Sequence, residues 1–185
     1  MLLKSAETQT EFEFRVVGYQ FPEVTDEDYD ANWLLVSINV RSPGGSWSKT
    51  DPCLLTWEGH WFANWLADIM AGREEEKTMS FLDSNLFFEV EGRGQHQVKL
   101  KIELSDELLP TDAKPGEKRF TVSLVISLAD LRAAVADWCW EMRLFPMRLE
   151  KARPCRPYND KRPGCAVCQQ EKVGRVAAAG GLAKR

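Results

Sequence analysis

Apolar and polar residues alternate in several stretches of the chain, a two-residue period typical of strands with one buried face. The clearest stretch runs from Gln97 to Leu104, where every second side chain is a branched aliphatic one. The same pattern predicts strands at 12–16, 34–40, 79–82, 86–91, 97–104 and 120–126, and one short strand between Trp47 and Leu55 that Asp51-Pro52 interrupts. Short links between successive strands favour antiparallel pairing.

A spacing of three to four residues predicts two helices. The first carries an apolar stripe made by Trp57, Trp61, Trp65 and Ile69, with Thr56 as its N-cap and Gly72 as its end. The second follows Ser127, which resembles the start of a capping box, and extends to about Arg143. The order of these elements predicts an α+β fold, in which two helices cover one face of a mainly antiparallel β-sheet of about five to seven strands.

Composition and charge both change towards the C-terminus. Residues 1–143 carry 14 basic and 25 acidic side chains, a net charge of −11, whereas residues 144–185 carry 10 basic and 3 acidic ones, a net charge of +7. Arg, Pro, Gly and Ala dominate after Pro146. The sequence therefore predicts a flexible N-terminus at 1–10, an α+β domain at 11–149 and a basic, cysteine-containing, disordered tail at 150–185.

The composition limits the classes of function. With 185 residues, 44% of them hydrophobic, the chain suits one soluble domain with a tail. No apolar run is long enough to span a membrane and no signal peptide is recognisable, so we expect a cytoplasmic protein with no membrane partner. The acidic body repels phosphates, which argues against nucleic acid as a partner and favours a basic protein. Acidity that merely maintains solubility is the alternative.

The sequence offers little for catalysis. His60 and His96 are the two histidines, and neither lies in a nucleophile motif. Gly92-Arg93-Gly94 lacks the third glycine of a dinucleotide-binding fingerprint and precedes a strand instead of a helix. We therefore predict no catalytic residues, no cofactor and no enzymatic activity.

The cysteine spacing allows two interpretations of the tail. Cys165 and Cys168 have the spacing of a zinc knuckle, and Cys155 is a third candidate ligand, but structural zinc prefers four ligands. A zinc-containing, nucleic-acid-binding tail and an unstructured tail both stay open, and we predict no metal site. Cys53 and Cys139 lie among apolar residues and are expected to be buried packing residues.

The densest acidic segment runs from Glu23 to Asp30 and holds five carboxylates in eight residues. Its aspartates at 26, 28 and 30 have the spacing of an EF-hand, but Ala31 and Ser37 stand where that loop requires Gly and Glu, so calcium binding is not expected. The segment is either a solvated loop or a contact surface for a cationic partner. A second, less aromatic acidic segment consists of Glu74, Glu75 and Glu76.

Four motifs follow one another in the first third of the chain. They are Tyr19-Gln20-Phe21-Pro22, Tyr29-Asp30-Ala31-Asn32-Trp33-Leu34, Gly45-Ser46-Trp47-Ser48 and Asp51-Pro52-Cys53-Leu54-Leu55-Thr56. Together they resemble the WapI-type immunity proteins, which accompany toxins delivered between bacteria, and the resemblance covers about residues 11–145. It implies a small non-enzymatic protein that neutralises a cognate toxin domain in contact-dependent inhibition. In the founding system that domain is a nuclease acting on transfer RNA. The alternative is a small-ligand-binding or catalytic domain with a pocket between sheet and helices.

On this interpretation the first acidic segment is the partner-binding surface. Closely spaced carboxylates imitate the phosphates that a nuclease site attracts, and an aromatic residue among them supplies an amphipathic anchor. The predicted partner-binding residues are Glu23, Asp26, Glu27, Asp28, Tyr29 and Asp30.

Overall fold

The computed structural model describes residues 1–27, 29–73 and 75–148, which form eight strands and two α-helices. The strands are β1 Leu2–Ser5, β2 Thr10–Tyr19, β3 Trp33–Ser42, β4 Gly45–Leu55, β5 Thr78–Ser80, β6 Leu86–Arg93, β7 Gln97–Ser105 and β8 Arg119–Ser127. The helices are α1 Thr56–Ala71 and α2 Leu128–Met142, and single 3-10 turns occur at Asp30–Asn32 and Asp106–Leu108. The predicted α+β class is confirmed.

The strands form two four-stranded antiparallel sheets, which corrects the prediction of one sheet with five to seven strands. Sheet A has the order β1-β2-β3-β4, and sheet B has the order β5-β6-β7-β8. Every strand pairs with its neighbour in sequence. The division falls at α1, because this helix separates β4 from β5 and the chain begins a new sheet after it.

One apolar core lies between the two sheets and the two helices. The ring of Phe14 on β2 stacks on Trp138 of α2 with ring centres 4.9 Å apart, and Phe62 of α1 lies 4.6 Å from Phe88 of β6. The Nε1 of Trp138 also donates to the carbonyl of Gly59, 2.8 Å away, and so joins the two helices. Each fully buried aromatic ring contributes roughly 2–3 kcal/mol of hydrophobic stabilisation.

The N-terminal residues differ from the flexible segment that the sequence predicts at 1–10. Leu2–Ser5 form β1, which pairs with β2, and Leu3 is completely buried. The terminal ammonium of Met1 donates to the carbonyl of Phe14, 3.0 Å away. A four-residue strand is too short to display a period in the sequence, but two apolar side chains at alternate positions are enough to hold it on an existing sheet.

β4 is continuous across Asp51-Pro52, where the sequence predicts an interruption. The register shifts beside the proline: Leu34 pairs with Leu54 and Leu35 with Pro52, so that Cys53 is the extra residue of a β-bulge. β4 is also the edge strand of sheet A. An edge strand with a bulge accommodates a proline because few ladder hydrogen bonds depend on its missing N–H.

The start of α1 differs from the sequence prediction, whereas the end of α1 and the start of α2 agree with it. The N-cap of α1 is Leu55 instead of Thr56, and the N–H of Leu55 donates to Oε2 of Glu58 at 2.9 Å. Gly72 ends α1 with a φ of +66°, which glycine adopts without strain. At the start of α2, Oγ of Ser127 accepts from the N–H of Asp130, as the capping-box pattern predicts. In the described part of the chain, neither helix has the length and apolar character needed to cross a membrane.

Candidate partner-binding surface

The acidic loop, defined here as residues 21–30, connects β2 to β3 and lies on the surface. Among the predicted partner-binding residues, Glu23, Asp26, Glu27, Tyr29 and Asp30 are all exposed, and Asp28 lies outside the described residues. Within the described ranges, no ion pair involves Glu23, Asp26, Glu27 or Asp30. These four acidic residues are exposed and have no cationic partner among the described side chains.

Tyr29 is held in place by its own backbone and by a neighbouring ring. Its carbonyl accepts from the N–H groups of Asn32 and Trp33, at 2.9 and 3.2 Å, which closes the turn after the acidic loop. The ring stands edge-on to Trp57 of α1 with centres 5.7 Å apart, and 46% of the residue stays exposed. A partly exposed aromatic residue in a fixed position is the type of side chain enriched at binding hot spots.

Asn32 is a fully buried polar residue of the Tyr29–Leu34 motif. Its Oδ1 accepts from the hydroxyl of Thr56, 2.8 Å away, and from the backbone N–H of Arg148, 2.9 Å away. Its Nδ2 donates to the carbonyl of Arg148 at 2.7 Å. Asn32 therefore fixes the end of the acidic loop to α1 and to the chain after α2, so this motif residue serves the scaffold.

A second acidic feature adjoins the loop. We call it the acidic cleft, with a volume of about 610 Å³, lined by Gln20, Trp33, Asp51, Pro52, Asp83, Asn85, Asp106 and Glu107. Gln20 directly precedes the acidic loop and Trp33 follows it by three residues, and the N–H of Gln20 donates to the carbonyl of Trp33 at 2.9 Å. The acidic loop and the acidic cleft therefore belong to one continuous face of the molecule.

Two carboxylates of the acidic cleft, Asp51 and Asp83, have raised pKa values, because of burial first and of neighbouring negative charges second. Burial and the charge of Glu107 raise the pKa of Asp51. Burial, and then the charges of Asp51, Glu107 and Asp106, raise the pKa of Asp83. Since each ionised carboxylate is less favourable beside the others, a cation placed in the cleft would relieve the repulsion.

Glu58 lies close enough to Asp83 of this cleft for the two charges to interact, but its carboxylate is bound to the scaffold. The carboxylate is buried and accepts from the N–H groups of Leu55 and Leu82, at 2.9 and 2.7 Å. Burial raises its pKa, although these two hydrogen bonds oppose the shift. Glu58 therefore links the start of α1 to the segment after β5 and has no free oxygen directed at a partner.

Sequence reasoning missed the acidic cleft because its residues come from separate parts of the chain. Asp51 belongs to β4, Asp83 follows β5, and Asp106 begins the 3-10 turn after β7. The sequence contains no local signal that joins them. Only the division into two sheets, which was not predicted, brings the end of sheet A close to the turns of sheet B.

The other candidate groups do not line the acidic cleft. His60 is exposed on α1, His96 is exposed in the β6–β7 hairpin, and neither lines the acidic cleft. Glu75 and Glu76 are exposed between α1 and β5, and Glu74 lies outside the described residues.

The cysteines fall into two groups. Cys53 and Cys139 are buried free thiols, as predicted. The candidate zinc ligands Cys155, Cys165 and Cys168 lie outside the described residues. Within the described ranges, no group of three or more His, Cys, Asp or Glu side chains has an arrangement that could hold a metal ion.

Comparison with known proteins identifies the class of protein as an immunity protein. The model of the WapI-like immunity protein family matches residues 1–146, which includes both sheets, both helices, the acidic loop and the acidic cleft. The chain belongs to the WapI-like immunity protein family. The resemblance carried by the four sequence motifs is thereby confirmed. No curated protein and no solved structure matches the chain.

Proposed function

We propose that this chain binds a cognate bacterial toxin domain directly and neutralises it without catalysing a reaction. Family membership supports a protein toxin as the general kind of partner. The observation that carries the finer proposal is the continuous acidic face, on which the carboxylates of the acidic loop have no cationic partner among the described residues. An acidic face of this kind fits a basic protein surface.

The proposed toxin domain is a nuclease that meets the acidic loop through its substrate-binding surface. A nuclease site attracts phosphate and is therefore rich in Lys and Arg. Glu23, Asp26, Glu27, Asp28 and Asp30 offer carboxylates in place of the phosphates. Opposite charges speed the encounter of the two proteins, while full covering of the site excludes the nucleic acid.

Tyr29 is the proposed anchor of the complex. Its ring already rests against Trp57, so binding would restrict it less than a freely rotating side chain. The exposed part of the ring supplies apolar contact, and the hydroxyl supplies a hydrogen bond. In this proposal the acidic loop sets the rate of association, and Tyr29 slows dissociation.

The place of action follows from the kind of toxin. A nuclease delivered into a neighbouring bacterium by contact acts in the cytoplasm, and we propose that the immunity protein meets it there. The acidic body of this protein repels nucleic acid. Cytoplasmic nucleic acid therefore does not occupy the surface that we propose for the toxin.

The experiment that tests the proposal titrates this protein into an activity assay of its purified cognate toxin domain, for which the product of a neighbouring gene is the first candidate. A binding protein inhibits in proportion to its amount, so activity falls linearly and reaches zero near one equivalent. An enzyme that inactivates the toxin needs only a trace and acts progressively with time. Progressive inactivation by a trace amount, or full toxin activity in excess protein, would contradict the proposal.

A further inference from the structure

Arg148 lies beyond the C-terminal end of α2 and contacts the acidic loop. Its Nη1 donates to the carbonyls of Val24 and Pro22, at 2.9 and 3.0 Å, and approaches that of Phe21 at 3.4 Å. The centre of its guanidinium group lies 3.6 Å above the ring of Tyr19. One side chain therefore satisfies several backbone carbonyls at the start of the loop, where a proline and carboxylates provide few donors.

The backbone of Arg148 is fixed independently of its side chain. Both its N–H and its carbonyl are hydrogen-bonded to the amide of Asn32, at 2.9 and 2.7 Å. The hydroxyl of Tyr19 donates to the carbonyl of Pro146, 2.5 Å away. Tyr19 precedes the acidic loop and Asn32 follows it, so the segment 145–148 is attached to both ends of the loop.

We propose that Arg148 is a positioning residue for partner binding: it holds the acidic loop in the conformation that the toxin domain recognises. This inference rests on the proposed function, because it assigns the acidic loop to the interface. A loop with several like charges spreads apart unless something fixes its backbone. Fixing it in the free protein reduces the conformational entropy lost when the partner binds.

Two substitutions separate the geometry of Arg148 from its charge. Arg148→Ala removes both, whereas Arg148→Lys keeps the charge but loses the planar group that stacks on Tyr19 and donates to several carbonyls. The matched control is Arg143→Ala. Arg143 is another arginine beyond the last residue of α2; it is exposed, whereas Arg148 is half-buried, and its guanidinium lies over Trp140, 5.3 Å from the ring centre, and not on the loop.

The first measurement is amide hydrogen exchange in the protein without a partner. The N–H of Val24 donates to Phe21 at 3.2 Å and that of Ala31 to Glu27 at 3.0 Å, so these two amides report on the acidic loop. We expect Arg148→Ala to speed their exchange roughly tenfold, Arg148→Lys to give a smaller increase, and Arg143→Ala to give none. Unchanged exchange at both amides, or equal acceleration of core amides such as that of Ile102, would overturn the positioning role.

The second measurement is the affinity for the cognate toxin domain. Arg148→Ala makes this face more negative, so charge alone predicts faster association with a basic toxin. Positioning predicts the opposite outcome, a complex weakened roughly tenfold through faster dissociation. Weaker binding with faster loop exchange supports the inference. Faster loop exchange with unchanged affinity would show that the acidic loop lies outside the interface. That outcome would contradict the proposed binding surface, although Arg148 would still fix the loop in the free protein.

Discussion

Asn32 joins three parts of the molecule through one buried side-chain amide. Its partners are the hydroxyl of Thr56 in α1 and both backbone groups of Arg148. No apolar residue of similar size can replace these contacts, since it would leave the N–H and carbonyl of Arg148 unpaired. This geometry explains why an asparagine stands between the apolar Ala31 and Trp33.

We expect Asn32→Ala to lower the free energy of unfolding by about 3 kcal/mol, because three hydrogen bonds are lost in a buried place. Chemical denaturation measures this change. Asn39→Ala is the matched control: Asn39 donates to Glu13 at 3.0 Å on the outer side of sheet A, and its loss is expected to cost less than about 1 kcal/mol. Equal small losses for both variants would contradict the scaffold role of Asn32.

The raised pKa of Asp83 makes the stability of the protein depend on pH, which allows the repulsion within the acidic cleft to be measured. Its pKa is raised by burial and by Asp51, Glu107 and Asp106, so between the ordinary aspartate pKa and the raised one the folded state binds more protons than the unfolded state. Stability therefore falls as the pH rises through that window. Asp83→Asn removes this loss, and we expect the variant to be more stable than the parent at pH 7.

Thermal unfolding between about pH 3 and pH 7 measures the effect. The advantage of Asp83→Asn is expected to shrink as the pH falls through this window, because below the ordinary aspartate pKa of about 3.9 the parent's carboxyl becomes protonated in the unfolded state as well. Asp137→Asn, on the exposed side of α2, serves as the control and is expected to change little. A gain that is the same at both ends of the pH range would show that the cleft carboxylates do not repel one another.

At the scale of elements, the sequence predicts those parts whose apolar spacing is complete within one segment. β3, β7 and β8 follow from alternation, and α2 follows from its cap at Ser127. β1 could not be predicted because four residues show no period, and β4 is longer than predicted because an edge strand tolerates Pro52. The two-sheet arrangement could not be predicted because alternation identifies the buried face of a strand but not its neighbouring strand.

The segment 145–148 is expected to stabilise the fold, whereas the residues after Leu149 are not. A chain that ends at Leu149 is expected to unfold within about 1 °C of the full chain, since the sequence after it offers few apolar anchors. A chain that ends at Pro146 lacks the Arg148–Asn32 hydrogen bonds, and its Tm is expected to be roughly 4–8 °C lower. Thermal unfolding measures the Tm of both truncated chains. Equal values for the two truncations, or zinc that is lost with residues 150–185, would contradict this account.

At the scale of the whole molecule, the residues that build the fold differ from most of the charged residues proposed to contact the toxin. The motifs on which the family resemblance rests include residues such as Asn32 that build the scaffold. Tyr29 and Asp30 belong to one of these motifs, but the other proposed contact residues carry no such signal, because an exposed carboxylate has the same appearance in a solvated loop and in an interface. The acidic cleft shows the same limit, since the folded arrangement alone brings its four carboxylates to one face.

The central claim, that the acidic loop meets a basic toxin domain, is tested most directly by the association rate constant of the two proteins. We expect the triple variant Asp26→Asn, Glu27→Gln, Asp28→Asn to associate roughly tenfold more slowly than the parent at low salt, with a much smaller difference at high salt. The matched control, Glu74→Gln, Glu75→Gln, Glu76→Gln, removes the same charge from the second acidic segment and is expected to associate nearly as fast as the parent. An unchanged rate for the first variant, or an equal slowing of both, would contradict the claim.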